Sequence, residues 1–219
     1  MNQFGALLLI VGGLAALWTI FRGIQAWQNN NYTYTKQSQW GVFVSFFAVT
    51  LAVVILLIQL VTSNFMNLYV ASYTSEALPL YYKLSALWAG QAGSLLFWLW
   101  LITVFSALFI YRHRNDFKEF MPLMTSTFAF VSLLFFGLTI FVKSPFEMLN
   151  FMPQDGSGLN PLLQNWGMAI HPPLLYLGYV GWTVPFGFLV AALVTKKLDS
   201  NWLKQARPWT LSAWLFLSL

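Results

Sequence analysis

The stretch WGVFVSFFAVTLAVVILLIQLV, from Trp40 to Val61, decides the fold class: 22 residues pass without one charged side chain. About 20 apolar residues suffice for a helix to cross a ~30 Å hydrocarbon core. A single charge near the middle would cost ~2.5–3.5 kcal/mol on the insertion scale, so the purity of the run is itself the signal. Four further stretches share this character: Phe4 to Phe21, Leu95 to Tyr111, Met121 to Val142 and Pro172 to Thr195. A sixth starts at Trp209 and reaches Leu219 after eleven positions, roughly half of the core. The sequence therefore predicts an all-α, polytopic membrane protein with five complete transmembrane helices plus the start of a sixth. On this reading residues 1–219 form the N-terminal membrane region of a longer protein, or one piece of a split one.

Composition agrees. The 219 residues are 58% hydrophobic and 19% aromatic, with 8% charged, against ~25% charged in soluble domains. So few charges cannot coat a water-facing surface, which argues against soluble-enzyme and disordered classes. The net charge of +5 comes from eleven Lys and Arg scattered over short loops. That is no nucleic-acid patch, and the partner it implies is membrane lipid. With no Cys, disulfides, thiolate metal sites and thiol redox chemistry within the chain are excluded. The opening Met1-Asn2-Gln3-Phe4-Gly5 lacks the basic region of a secretory signal, so the first span is expected to be retained.

The cations give an orientation. Segments 22–39, 112–120 and 196–208 hold nine of the eleven, whereas 62–94 and 143–171 hold only Lys83 and Lys143. Acidic residues divide three and three, so the bias lies in the cations, as the positive-inside rule requires. The N-terminus and the loops 62–94 and 143–171 are expected outside, in a multi-pass protein of the cell (inner) membrane. Each of these loops is about 30 residues long and mixes aromatic, Pro, Gly and amide side chains. Connections of that length are usually functional. The plain alternative is an interfacial aromatic belt, or a short amphipathic segment among the headgroups. Asn29-Asn30-Asn31, in a basic segment, is the sole low-complexity tract.

Chemistry-bearing residues are few. His113 lies between Arg112 and Arg114 and reads as a solvated loop residue, a poor metal ligand beside two guanidinium groups. His171 precedes Pro172-Pro173. A residue before Pro is pushed from the α region, and Pro suits a first helical turn. His171 is thus expected near the N-cap of the fifth span, stiffened by two prolines, with its ring free to meet a flat hydrophobic ligand. Neutral His is a common protein ligand of haem iron. A hydrogen-bonded belt residue is the alternative. No intramembrane carboxylate pair, Ser/His/Asp set, phosphate loop or zinc spacing appears. Pro185 implies a kink in the fifth span, and Gly178, Gly181 and Gly187 imply close helix approach.

Two blocks carry a resemblance. Asn160-Pro161-Leu162-Leu163-Gln164, Gly167 and HPPLLYLGYVG from His171 to Gly181 are similar to the outer-loop and helix signature of the haem lyase subunit of cytochrome c maturation, the CcmF/NrfE family, related to the CcsA haem-handling proteins. YVASYTSEALPLYYKLSALWAGQAGSLLFW, Tyr69 to Trp98, resembles that family's first outer loop, and RPWTLSAWLFLSL from Arg207 the start of its next helix. The family pattern Trp-Gly-x-x-Glu-Gly-Ser reads here Trp88-Ala89-Gly90-Gln91-Ala92-Gly93-Ser94, so the acidic residue and its neighbour are replaced. The resemblance implies that haem b is held at the outer face between two His flanking a Trp-rich domain. His171 corresponds to the first, an axial ligand of the haem iron. Asn160, Trp166 and Tyr176 are candidates for the pocket edge. It further implies presentation of haem to apocytochrome c, with other maturation subunits or a haem chaperone as partners. The Trp-rich domain and the second His fall beyond Leu219, so this chain alone is expected to be inactive as a lyase. The competing reading is a non-haem membrane anchor or transporter subunit that docks partners through its outer loops.

Overall fold

Two asparagines make the first bend. In the computed structural model, which describes residues 1–219, α1 (Asn2–Asn29) and α2 (Tyr32–Val61) form an antiparallel hairpin joined by Asn30 and Asn31 alone. Asn30 is left-handed at φ 48°, a conformation that Asn tolerates better than most residues with a Cβ. Asn31 caps α2, its side chain accepting from the amides of Thr33 at 2.9 Å and Tyr34 at 3.4 Å. Both helices overrun the apolar runs 4–21 and 40–61 because hydropathy marks the lipid-embedded part, whereas capping sets the helix ends.

Two short helices follow, α3 (Leu68–Tyr73) and α4 (Leu80–Ser85), then a 3₁₀ turn, Ala86–Trp88. The long α5 (Gln91–His113) crosses back, and α6 (Met121–Gly137) returns and widens into a π turn over Leu138–Val142. A 3₁₀ turn at Pro161–Leu163 precedes α7 (Trp166–Gly181), α8 (Thr183–Thr195) and α9 (Asn201–Ser218). Five helical stretches are long and apolar enough to cross a membrane: Asn2–Asn29, Tyr32–Val61, Gln91–His113, Met121–Val142 and Trp166–Thr195. The fold is all-α and multi-pass, as the sequence predicts. The sixth helix, however, starts at Asn201 rather than Trp209 and runs through Pro208. Its first turns are polar and therefore carry no hydropathy signal.

The kink at Pro185 is present as a break at Trp182, between α7 and α8. Pro185 has no N–H for the carbonyl of Gly181, four residues back, and the helix opens there. Gly181 then lets α9 approach so closely that an added Cβ would stand 2.7 Å from Cβ of Ala213. Inside a bilayer, helices associate by packing and hydrogen bonds rather than by exclusion from water. Accordingly Ser45 Oγ donates to the Gly12 carbonyl at 2.9 Å, tying α2 to α1. Ser38 and Thr125 pair their hydroxyls at 3.0 Å, tying α2 to α6. Nearer the basic end Phe109 of α5 meets Phe128 and Phe188 edge-on, both at 5.6 Å.

The bundle has two unlike ends. One gathers the α1–α2 turn, the α5–α6 connection and the α8–α9 connection, with nine of the eleven Lys and Arg. There Gln39 Nε2 donates to the Arg114 carbonyl at 3.0 Å and Lys197 pairs with Glu119. The other end carries both long connections.

Candidate functional site

The long connections are folded against each other. Leu68 N–H donates to the Glu147 carbonyl at 2.9 Å and Leu149 N–H to Met66 at 3.0 Å, around an isolated antiparallel bridge, Asn67 to Met148. Further on, Ser157 N–H reaches Ala71 at 2.7 Å and Gly158 N–H reaches Thr74 at 3.0 Å. Gly158 sits at φ 77° and Gly156 leaves no room for a Cβ beside the Thr74 carbonyl, so this crossing depends on glycine.

Two side chains hold this cap onto the bundle. Asn67 is wholly buried and caps α3, accepting from Tyr69 N–H at 2.8 Å and Val70 N–H at 3.1 Å. Its Nδ2 donates to Gln59 Oε1 of α2 and to the Pro145 carbonyl, both at 2.9 Å. Gln59 in turn contacts Asn2 at the head of α1. Tyr69 donates its hydroxyl to the Ala86 carbonyl at 2.7 Å and accepts from Gly90 N–H at 3.0 Å. Burial pushes the Tyr69 phenol above its ordinary range. The segment Trp88–Ser94, where the family pattern loses its carboxylate, is thus shaped by Tyr69. Ala92, in that stretch, is buried.

The predicted site residues separate into two groups. His171 is not an N-cap but the sixth residue of α7. The helix starts earlier because Asn165 caps it, accepting from Gly167 N–H at 2.8 Å and, through its carbonyl, from Ala169 N–H at 3.0 Å. Pro172 and Pro173 therefore lie inside the helix and give no N–H to the carbonyls of Met168 and Ala169. The loop expected over 143–171 ends at Asn165, and that over 62–94 ends at Gly90. His171 is exposed and its ring makes no hydrogen bond to the protein.

Trp166, the first residue of α7, is 73% exposed and its ring lies 6.4 Å from Tyr81 of the other connection. Five positions separate Trp166 from His171, about 140° around the helix, so they do not share one face. Asn160 caps the 3₁₀ turn, accepting from Leu162 N–H at 3.0 Å. Tyr176 sits in the bundle, edge-on to Phe97 at 5.5 Å and to Trp98 at 5.3 Å. His171, Trp166 and Asn160 are thus each exposed at the cap end, and Tyr176 is half-buried in the bundle. Tyr81, Asn67 and Tyr69 escape sequence reasoning. The Asn67-Leu68-Tyr69 capping pattern was the available signal for α3, but the long-range partners leave no local trace.

His113, expected in a solvated loop, is the last residue of α5. Its Nδ1 pairs with Asp116 at 3.0 Å and its ring lies 5.0 Å from Phe109. The two His stand at opposite ends, and no group of three or more His, Asp or Glu converges to hold a bare metal ion. What the cap end offers chemically is one free imidazole. Exposed Trp166, Met168 and Ile170 make the same end of α7 apolar. A neutral imidazole of this kind can donate a ring nitrogen to a metal centre.

Residues 88–219, which include Asn160, Trp166 and His171, match the sequence model of the family described as Cytochrome C assembly protein. The chain is 35% identical over its whole length to the cytochrome c-type biogenesis protein CcmF of Haemophilus influenzae, covering 33% of that protein. It is also 35% identical to CcmF of Escherichia coli, covering 34% of it. Against NrfE of Haemophilus influenzae it is 34% identical over 175 residues, 78% of this chain and 27% of that one. A solved structure, Cytochrome c Heme Lyase CcmF, superposes with a TM-score of 0.84 at 28% identity, covering 99% of this chain and 34% of that one. The chain spans about a third of the length of the CcmF proteins it matches.

Proposed function

This chain belongs to the cytochrome C assembly protein family, and from that membership we propose that it serves cytochrome c biogenesis by holding haem b, as substrate, at the cap end of the bundle. The observation that carries the proposal is His171: an exposed imidazole without a protein partner, on a helix end whose surroundings are apolar. His171 would donate a ring nitrogen to the haem iron. Ile170, the neighbouring exposed apolar residue, would line one edge of the macrocycle, Trp166 would contribute only from the adjoining face of the helix end, and Asn160 would fix the turn that leads into α7. Tyr176 supports the site at a distance, by seating α7 on Trp98 and Phe97. The remainder of the lyase would supply the second axial ligand and enclose the haem while apocytochrome c thiols add to its vinyl groups. Other maturation subunits or a haem chaperone would deliver it. The cation bias supports a cap outside the inner membrane, with the N-terminus on the same side.

The test uses the intact lyase. His171→Ala should remove most of the bound outer-face haem and of cytochrome c maturation at unchanged protein level, and added imidazole should partly restore the haem spectrum. A small base can enter the gap the side chain leaves, whereas loss of a merely structural His would lower protein level and gain nothing from imidazole. His113→Gln serves as the control, since that ring faces the opposite end. Normal haem and maturation in His171→Ala would overturn the assignment in favour of the non-haem anchor.

A further inference from the structure

At the basic end a groove of about 530 Å³ opens between the start of α2 and the α5–α6 connection. Its walls include Lys36, Gln39, Trp40, Phe43, Phe47 and Arg114. Lys36, Trp40, Phe43 and Phe47 follow one another at steps of four, three and four, one face of a helix. That face runs from the polar end down into the apolar span. Trp40 is 68% and Phe47 59% exposed, while Phe43 between them is half-buried against the core, so the stripe opens toward lipid with Phe43 as its floor.

The second cation is brought to the first by a defined contact. Gln39, only 8% exposed, donates from Nε2 to the Arg114 carbonyl at 3.0 Å and pins the end of α5 against α2. Lys36 Nζ lies 4.8 Å from the Tyr32 ring centroid. Neither Lys36 nor Arg114 pairs with a carboxylate. The two ion pairs of the chain are His113–Asp116 and Lys197–Glu119, so the acid closest in sequence, Asp116, is already engaged.

We propose that this groove binds an anionic phospholipid of the leaflet at the basic end, its phosphate between Lys36 and Arg114 and an acyl chain along Phe43 and Phe47. Arg is suited to bidentate contact with phosphate oxygens, and Lys adds a point charge. Basic pockets between membrane helices recognise anionic headgroups on these terms. The aromatic lane decides between a lipid and free phosphate, because an inorganic anion would make no use of Phe43 and Phe47. The lipid would also bridge α2 and the α5–α6 connection, adding to the Gln39 hydrogen bond.

The intact protein in lipid nanodiscs provides the test. Emission from Trp40, taken as the difference between wild type and Trp40→Phe, should be quenched more by brominated phosphatidylglycerol than by brominated phosphatidylcholine at equal mole fraction. The ratio of the two should exceed one in wild type and in Lys36→Arg, and fall to one in the double variant Lys36→Gln, Arg114→Gln. Equal quenching in wild type, or an unchanged ratio in the double variant, overturns the proposal. Inorganic phosphate should leave the ratio unchanged at matched ionic strength. If phosphate abolishes it where chloride does not, the site takes the free anion and the lipid assignment falls.

Discussion

Tyr69 places its hydroxyl between two backbone groups, the Ala86 carbonyl and the Gly90 N–H, in a site from which water is excluded. Tyr69→Phe would leave the Gly90 N–H unpaired, a loss of ~1–3 kcal/mol, whereas the Ala86 carbonyl keeps the Ala89 N–H at 3.1 Å. The phenol is also held in its protonated form by burial, above the ordinary value. An unfolded chain releases this proton near pH ~10, whereas the folded chain keeps it. The hydroxyl's stabilisation is therefore complete below pH ~10 and declines as pH rises beyond it. Unfolding of wild type and Tyr69→Phe in mixed detergent should differ by a constant amount at neutral pH and by a shrinking amount in alkali. A difference that does not shrink would mean that the hydroxyl is not the anchor. Such residues were not legible in the sequence: Tyr69 and Asn67 bond to backbone groups 17 to 78 positions away, and nothing local in Asn67-Leu68-Tyr69 encodes those partners. His171 stood out in the sequence because two prolines mark it, and its ring is exposed. Its place within the helix was not, since Asn165 outweighed the bias of a residue before Pro.

At the scale of elements, α7 and α8 are one membrane span interrupted at Trp182 by the missing donor of Pro185. Pro185→Ala would restore an N–H opposite the Gly181 carbonyl and relieve an interruption of up to ~3 kcal/mol. Amide exchange over 182–186 should slow, while exchange in α9 should quicken as the close seat of Gly181 on Ala213 shifts. Unchanged exchange in both segments would show that packing, not the proline, maintains the break. The spans themselves were readable, since transfer energy depends on composition alone. Helix ends were not. The reach of α2 back to Tyr32 rests on the Asn31 cap, and the head of α9 is polar and silent to hydropathy.

For the whole molecule, the decisive feature is the inequality of its ends. Basic side chains near a membrane face resist translocation, so a reporter active only outside should work when fused at Ser75 or Gly156 and fail at Lys118 or Gln205. Equal activity at Lys118 and Gly156 would reverse or dissolve the orientation. The cap has a different kind of consequence. Backbone bonds from 66–74 to 147–158 clasp the α2–α5 half of the chain to the α6–α9 half, and α1 lies along α6, with Phe136 against Gly12. The peptide linkage through residues 114–117 is thus one restraint among many. Two separately translated gene products, divided there, would retain every clasp needed to find each other in the bilayer and complement as a pair.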